Sequence, residues 1–186
     1  MEKTLIRSFP DLQALSRAAA DFFVQLSSTS ARDKGRFSVA LAGGSTPRPL
    51  YHLLASPEFR ERIDWSCIHF FWGDERCVPP EHPDSNYRMA YEALLSRITI
   101  PPEHIHRMPG EMDPEQGADL YEKELRKLFP GSDFPVFDLI LLGMGEDGHT
   151  ASLFPFSSAL KESSRLVVPV SVQNIMHQRL TLTLPV

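Results

Sequence analysis

The residues best suited to chemistry lie in one glycine-rich segment, 143–155, which reads Gly-Met-Gly-Glu-Asp-Gly-His-Thr-Ala-Ser-Leu-Phe-Pro. Histidine is the side chain that most often accepts a proton from water as a general base, and His149 lies in this segment. Asp147 can orient that imidazole or help to hold a substrate, and backbone N–H groups of the turn, including that of Gly145, can stabilise an oxyanion. We therefore predict His149 and Asp147 as catalytic residues and Gly145 as a substrate contact. The alternative for a single histidine is a structural role.

The glycines of this segment also satisfy the G-x-G-x-x-G pattern of dinucleotide-binding turns. Glu146 and Asp147, however, would place carboxylates beside a pyrophosphate, and Pro155 would shorten the helix that should follow. The next apolar run, 166–171, ends without the acid that would bind the ribose hydroxyls. We therefore expect no nicotinamide cofactor.

A second glycine turn, 43–47, follows an apolar run and precedes a helical pattern. Gly43 and Gly44 let the backbone approach a ligand closely, Ser45 or Thr46 can cap the helix, and a proline suits the first helical turn. Free N–H groups at a helix start favour an anion such as phosphate. The four residues are predicted to bind substrate, and the alternative is a simple tight turn with a good cap.

A charged triplet, Asp74-Glu75-Arg76, emerges from the next apolar run. Arg76 can hold a phosphate through two hydrogen bonds, while Asp74 or Glu75 can fix Arg76 or a catalytic group in place. If the following loop folds back, Asn86 can bind sugar hydroxyls. We predict all four as substrate-binding residues. The alternatives are a solvated ion-pair loop and, for Ser85 and Asn86, capping of the next helix.

The elements that must position these turns alternate between strand and helix patterns. Predicted strands cover 37–42, 68–72, 137–142, 166–171 and 179–185, and predicted helices begin near residues 11, 47, 86 and 114, the first ending in the polar stretch 27–35. Strands that are apolar on both faces and alternate with helices indicate an α/β fold, a Rossmann-like, doubly wound, mostly parallel sheet covered on both sides. Ligands bind at the carboxyl ends of such strands, so the three turns are expected to share one crevice.

Composition narrows the class of protein. A chain of 186 residues, 42% apolar and 23% charged, fits one domain, 1–186, and a net charge of −5 argues against a nucleic-acid partner. No apolar run is long enough to span a bilayer, and residues 1–11 lack the apolar core of a secretory signal. We expect a cytoplasmic protein, favour a monomer, and expect no membrane partner. Since no helix follows the strand at 179–185, the domain is expected to be incomplete at its C-terminus.

Metal-binding patterns are weak in this sequence. Two cysteines form neither a disulfide framework nor a paired zinc signature. His104 and His106 form H-x-H without an evident third ligand, so no metal site is predicted. The remaining histidines outside the glycine turn are assigned to surface or packing roles: His52, His69, His82 and His177.

Four segments taken together resemble the family of glucosamine-6-phosphate isomerases and 6-phosphogluconolactonases. They are 42–47, 72–80 with 85–87, 143–155 and 179–186. The resemblance implies a cofactor-free hydrolase of the oxidative pentose phosphate pathway that opens a phosphorylated sugar lactone, with His149 as the general base. It places Arg76 and the turn at 43–46 at the phosphate, and Arg179 at a basic position near the site. The alternatives for Arg179 are a solvated charge at the end of a strand and a salt bridge to the charged triplet 74–76.

Two positions depart from relatives within this resemblance. The deaminases of the family carry a glutamate five residues after the histidine, where this chain has Phe154, which favours a lactonase. The run 173–178 also lacks the lysine and prolines that often precede the arginine, so one phosphate contact is expected to be missing. A deaminase-type isomerase and a non-catalytic sugar-phosphate-binding protein remain the alternative functions.

Overall fold

The structure, a computed structural model, describes residues 4–171 and 176–186. Residues 173–175 of the run 173–178, where the phosphate contact was expected to be missing, therefore lie outside the described residues. The helices are α1 (Leu12–Lys34), α2 (Arg48–Leu54), α3 (Pro57–Arg60), α4 (Asn86–Ala93) and α5 (Pro114–Leu128). The strands are β1 (Phe37–Leu41), β2 (Ile68–Trp72), β3 (Asp74–Arg76), β4 (Leu139–Ile140), β5 (Val167–Val170) and β6 (Arg179–Leu182).

A parallel sheet in the order β2-β1-β4 carries the first and last of the predicted turns. Phe37 pairs with Ile68 at one end of β1, and Leu41 pairs with Trp72 at the other. All five residues of β1 are buried, as expected for a central strand covered by helices. The predicted α/β class is confirmed, and the carboxyl ends of these strands lie at one edge of the sheet.

A second, antiparallel sheet in the order β3-β6-β5 was not part of the prediction. The charged triplet 74–76 was expected to lie in a loop. It forms strand β3 instead, and its Arg76 pairs with Arg179 of β6. Hydrophobic periodicity could not reveal a three-residue strand made only of charged side chains. The pairing brings two arginines that are distant in the sequence into register.

Helix α1 is longer than predicted, because the polar stretch 27–35 continues the helix to Lys34 instead of ending it. Ser27 Oγ donates to the Val24 carbonyl at 3.1 Å, and Ser30 Oγ donates to Asp138 at 3.1 Å, so both buried hydroxyls are paired. Gly35, at φ 70°, ends the helix in the left-handed conformation that glycine adopts without strain.

Strand β4 contradicts the prediction of a long strand buried on both faces. Only Leu139 and Ile140 form it, both are half-buried, and Leu142 beyond them is 60% exposed. Within the described residues β4 pairs only with β1, so it is an edge strand of its sheet. No helix in residues 4–171 or 176–186 combines the length and the apolar character needed to cross a membrane.

Candidate functional site

A cavity of about 400 Å³ opens at the carboxyl edge of the parallel sheet. Its walls come from the glycine turn after β1, from β3 and β6, and from the turn that carries the histidine. We call it the sheet-edge cavity. Ten of the twelve predicted site residues line it: Gly43, Gly44, Ser45, Thr46, Asp74, Arg76, Asn86, Gly145, His149 and Arg179.

The glycine turn after β1 is shaped by a close approach to α4. A Cβ on Gly43 would lie 1.9 Å from Asn86 Oδ1, so only glycine fits there. The preceding residue, Ala42, is anchored by the Tyr51 hydroxyl, which donates to its carbonyl at 2.7 Å. This packing fixes the turn against the buried core.

The predicted helix cap in this turn is wrong. Helix α2 begins at Arg48 with Pro47 as the capping residue and has no hydrogen bond from a capping side chain. Ser45 and Thr46 are exposed and line the sheet-edge cavity instead. Their hydroxyls are therefore available to a ligand rather than committed to the helix.

Asp74 is the buried centre of a polar network. Its Oδ2 accepts a hydrogen bond from Ser152 Oγ at 2.7 Å, and its Oδ1 accepts from Asn86 Nδ2 at 3.2 Å. Asn86 Nδ2 also donates to the Asp74 carbonyl at 2.9 Å. Asp74 therefore joins β3 to α4 through Asn86 and to the histidine turn through Ser152.

Glu75 lies outside the cavity lining, so the structure does not support its predicted contact with substrate. Its buried carboxylate accepts hydrogen bonds from the backbone N–H groups of Arg76, Asn86 and Tyr87 at 2.7 to 2.8 Å, and from Ser85 Oγ at 3.0 Å. Burial raises the pKa of Glu75, while these hydrogen bonds oppose the rise. The side chain holds the loop that precedes α4. Ser85 also caps α4, as predicted for it, by accepting from Arg88 N.

Arg76 and Arg179 form a pair of cations on neighbouring strands, and both line the sheet-edge cavity. Arg76 Nη1 donates to the Asp84 carbonyl at 2.5 Å. The buried Nε atoms of both arginines have no hydrogen-bond partner among the residues that the structure describes. Burial, followed by the positive charge of Arg76, lowers the pKa of Arg179. Two close cations in the lining give this wall of the cavity a positive charge.

His149 lines the cavity and is held from two sides. Its Nδ1 lies 2.5 Å from Asp147 Oδ1, and its ring lies against Phe154 with 4.4 Å between ring centroids. A Cβ on Gly145 would lie 2.3 Å from His149 Cε1, so the imidazole depends on glycine at that position. With Nδ1 committed to Asp147, Nε2 is the nitrogen left for proton transfer.

Asp147 is half exposed, with 52% of its side-chain surface accessible, and it does not line the cavity. The hydrogen bond to the His149 side chain, followed by one from the His149 backbone N–H, lowers the pKa of Asp147. A carboxylate in this place can orient the imidazole and fix its tautomer, which was one of the two predicted roles.

Two residues that shape the site were not among the predicted site residues. Ser152 binds Asp74, and Phe154 is the surface on which the His149 ring rests. Both lie in the segment 150–155, three to five residues after the histidine. A buried hydrogen bond between residues 78 positions apart leaves no local signal in the sequence.

Fold and cavity together define an α/β protein whose polar site, cationic on one wall and carrying a histidine on another, lies at the carboxyl edge of a parallel sheet. The sequence profile described as glucosamine-6-phosphate isomerases/6-phosphogluconolactonase matches residues 10–186, and the chain belongs to this family.

Individual relatives agree with that assignment. A 6-phosphogluconolactonase of Nostoc sp. is 43% identical over 189 residues, covering 100% of this chain and 75% of the relative. One of Synechocystis sp. is 51% identical over 157 residues, covering 82% of this chain and 62% of the relative. The solved structure of 6-phosphogluconolactonase from Trypanosoma brucei superposes with a TM-score of 0.84 at 35% identity, covering 97% of this chain and 76% of that one.

Proposed function

We propose that the protein hydrolyses 6-phospho-D-glucono-1,5-lactone to 6-phosphogluconate, with His149 as the general base. The observation that carries the proposal is that His149 lines the same cavity as Arg76 and Arg179. The names of the relatives in Nostoc, Synechocystis and Trypanosoma support the reaction. The positions of these residues in the cavity support separate roles, with the arginines binding the phosphate and His149 acting as the base.

The phosphate binds at the arginine wall in this proposal. Arg76 and Arg179 offer positive charge and guanidinium N–H groups, and the turn at Gly44, Ser45 and Thr46, which lines the same cavity, adds backbone and hydroxyl donors. A dianion matches this wall better than a neutral sugar does. Binding the phosphate there fixes the position of the lactone ring relative to His149, which lowers the entropic cost of the reaction.

Water is the nucleophile, and His149 Nε2 takes its proton as the oxygen attacks the lactone carbonyl. Backbone N–H groups of the glycine turns stabilise the negative charge on the carbonyl oxygen. The intermediate then collapses, the bond between the carbonyl carbon and the ring oxygen breaks, and the ring oxygen receives the proton from the imidazolium. Asp147 holds the imidazole in the tautomer that leaves Nε2 free.

Ring opening and deamination of an amino sugar is the less favoured function, because Phe154 offers no carboxylate beside His149. Its ring lies against the imidazole and lines the cavity. An apolar face at this position suits a reaction that needs one base and a water molecule. The proposed hydrolysis needs no cofactor, and we further propose that a cytoplasmic monomer carries it out without a nucleic-acid or membrane partner.

The direct test is the rate at which purified protein consumes freshly made 6-phosphogluconolactone, measured against an enzyme-free blank because the lactone also hydrolyses spontaneously. We expect catalysed loss of lactone and no release of ammonia from glucosamine 6-phosphate. Ammonia release without lactone hydrolysis would make the protein a deaminase. Binding of 6-phosphogluconate with a rate equal to the blank would make it a binding protein.

A further inference from the structure

Outside the sheet-edge cavity, two histidines and an aspartate converge on one point. The ligand atoms of His82, Asp84 and His177 all lie within 4.8 Å of one another. Asp84 Oδ2 lies 3.2 Å from His177 Nε2 and 3.8 Å from His82 Nδ1. We propose that these three side chains bind a divalent transition-metal ion such as Zn²⁺, a site that the sequence pattern did not predict.

The donor set and its spacing match such an ion. Zinc binds imidazole nitrogen and carboxylate oxygen at about 2.0 to 2.2 Å, so two ligands in a tetrahedral shell lie roughly 3.4 Å apart. The two separations involving Asp84 bracket that value. Two imidazoles and one carboxylate favour zinc, cobalt or nickel over magnesium and calcium, which prefer oxygen ligands throughout.

His82 Nδ1 is placed as an acceptor, which is what a metal ligand requires. The backbone N–H of Asp84 donates to His82 Nδ1 at 3.2 Å, so the lone pair of this nitrogen points toward Asp84. A turn fixes the backbone around it, because His82 N donates to the Pro79 carbonyl and Ser85 N donates to the His82 carbonyl. Small side-chain rotations would exchange the weak N–H contact for a metal bond.

The site is open to solvent on one side. The exposed fractions of the side chains are 37% for His82, 48% for Asp84 and 23% for His177. Water can therefore complete the coordination shell, and an ion can enter without unfolding. Three protein ligands with an open fourth position are also typical of exchangeable and catalytic zinc sites.

Both halves of the site are attached to the antiparallel sheet. The Asp84 carbonyl accepts from Arg76 Nη1, and the carbonyl of Gln178, next to His177, accepts from Cys77 N at 2.8 Å. An ion joining Asp84 and His177 would tie the loop before α4 to the start of β6. It would stabilise the folded state by binding there and not to the unfolded chain. This inference does not depend on lactone hydrolysis.

The experiment measures Zn²⁺ affinity of the chelator-stripped full-length chain by competition with a chromophoric chelator. The variants are His82→Ala, His177→Ala and the milder His177→Gln. His52→Ala removes an exposed histidine elsewhere, and His104→Ala removes one from the H-x-H segment. We expect one ion per chain in the wild type and both controls, and affinity reduced at least about tenfold, or ~1.4 kcal/mol, in the three cluster variants.

A second readout is the thermal unfolding midpoint with and without Zn²⁺. The ion should raise the midpoint of the wild type and of His52→Ala but not that of His82→Ala or His177→Ala. Circular dichroism of each variant shows whether it is folded before the metal is added. Equal affinity in wild type and His177→Gln, loss of binding in His104→Ala alone, or no binding at all would overturn the proposal.

Discussion

Ser152 Oγ donates a 2.7 Å hydrogen bond to Asp74 Oδ2 across 78 positions of sequence. Ser152 N also donates to Thr181 Oγ1 on β6 at 3.2 Å. These buried bonds fasten the turn that carries His149 to the two strands that carry Arg76 and Arg179. His149 and the two arginines are therefore held in place without a ligand, as the proposed mechanism requires of a preorganised site.

The first prediction concerns this connection. Ser152→Ala removes a buried partner of the Asp74 carboxylate, and an unsatisfied buried polar group costs about 1–3 kcal/mol of unfolding free energy. We expect a loss in that range by urea denaturation, together with a lower kcat because the histidine turn is less firmly held. Ser158→Ala, at an exposed serine, serves as the control and should change neither value. Equal unfolding free energies of Ser152→Ala and the wild type would show that the hydrogen bond between Ser152 and Asp74 does not stabilise the fold.

A second prediction separates phosphate binding from chemistry. Arg76→Lys keeps the positive charge but loses the planar guanidinium, and hydrogen bonds to charged groups contribute about 1.5–3 kcal/mol. We expect KM for the phosphorylated lactone to rise roughly 10- to 100-fold, with kcat much less affected. Activity toward the lactone without phosphate should stay as low in the variant as in the wild type. A fall in kcat at constant KM would instead place Arg76 at the reacting carbonyl.

The third prediction uses two glycines of one turn. The added Cβ of Gly145→Ala would lie 2.3 Å from His149 Cε1 and displace the imidazole, whereas one on Gly143 meets nothing within 4 Å. We expect Gly145→Ala to lower kcat by about 100-fold, as a misplaced catalytic group does. Gly143→Ala should stay much closer to wild-type kcat. Comparable kinetics of the two alanine variants would contradict the dependence of His149 on this close approach.

The common location of most site residues could be predicted from the sequence, because each predicted turn follows a run of apolar residues that was assigned as a strand. Parallel strands bring such turns to one edge, so the common location of Gly44, Arg76 and His149 required only the strand assignments. The α/β class came from the alternation of apolar runs and helical spacing in the same way.

The missed features depend on contacts that sequence patterns do not report. Strand β3 is polar and short, and its pairing with β6 spans about a hundred residues. Glu75 was predicted to bind substrate, but both of its carboxylate oxygens accept two hydrogen bonds each from backbone N–H groups and from Ser85 Oγ. Helix α1 continues through its serines because the hydroxyl of Ser27 donates to the Val24 carbonyl and the hydroxyl of Ser30 donates to Asp138.

The fourth prediction concerns pH and a histidine cluster at the opposite end of β2. Burial, followed by the charges of His104, His106 and Arg36, lowers the pKa of His69 from 6.5 to about 4. The folded protein thus holds His69 neutral, and His69 Nδ1 lies 3.1 Å from His106 Nε2. The unfolded chain binds this proton below about pH 6.5, so stability is full above that value and is lost progressively toward pH 4.

His69→Gln tests the sign of this effect. Urea denaturation between pH 7 and pH 4 should show a steeper fall in the unfolding free energy for the wild type than for the variant. The carboxylates and the remaining histidines are present in both proteins, so the difference between the two curves reports on His69 and its contacts with His104 and His106. Parallel curves, or a wild type that gains stability relative to the variant on acidification, would be inconsistent with a neutral, partly buried imidazole.

The kcat of His149→Ala for 6-phosphogluconolactone, corrected for the enzyme-free rate, tests the central claim most directly. A general base contributes about 100- to 10,000-fold, so we expect a loss of that size with unchanged circular dichroism, while His52→Ala keeps wild-type turnover. If His149→Ala hydrolyses the lactone as fast as the wild type, the histidine of the sheet-edge cavity is not the base and the proposed mechanism is wrong.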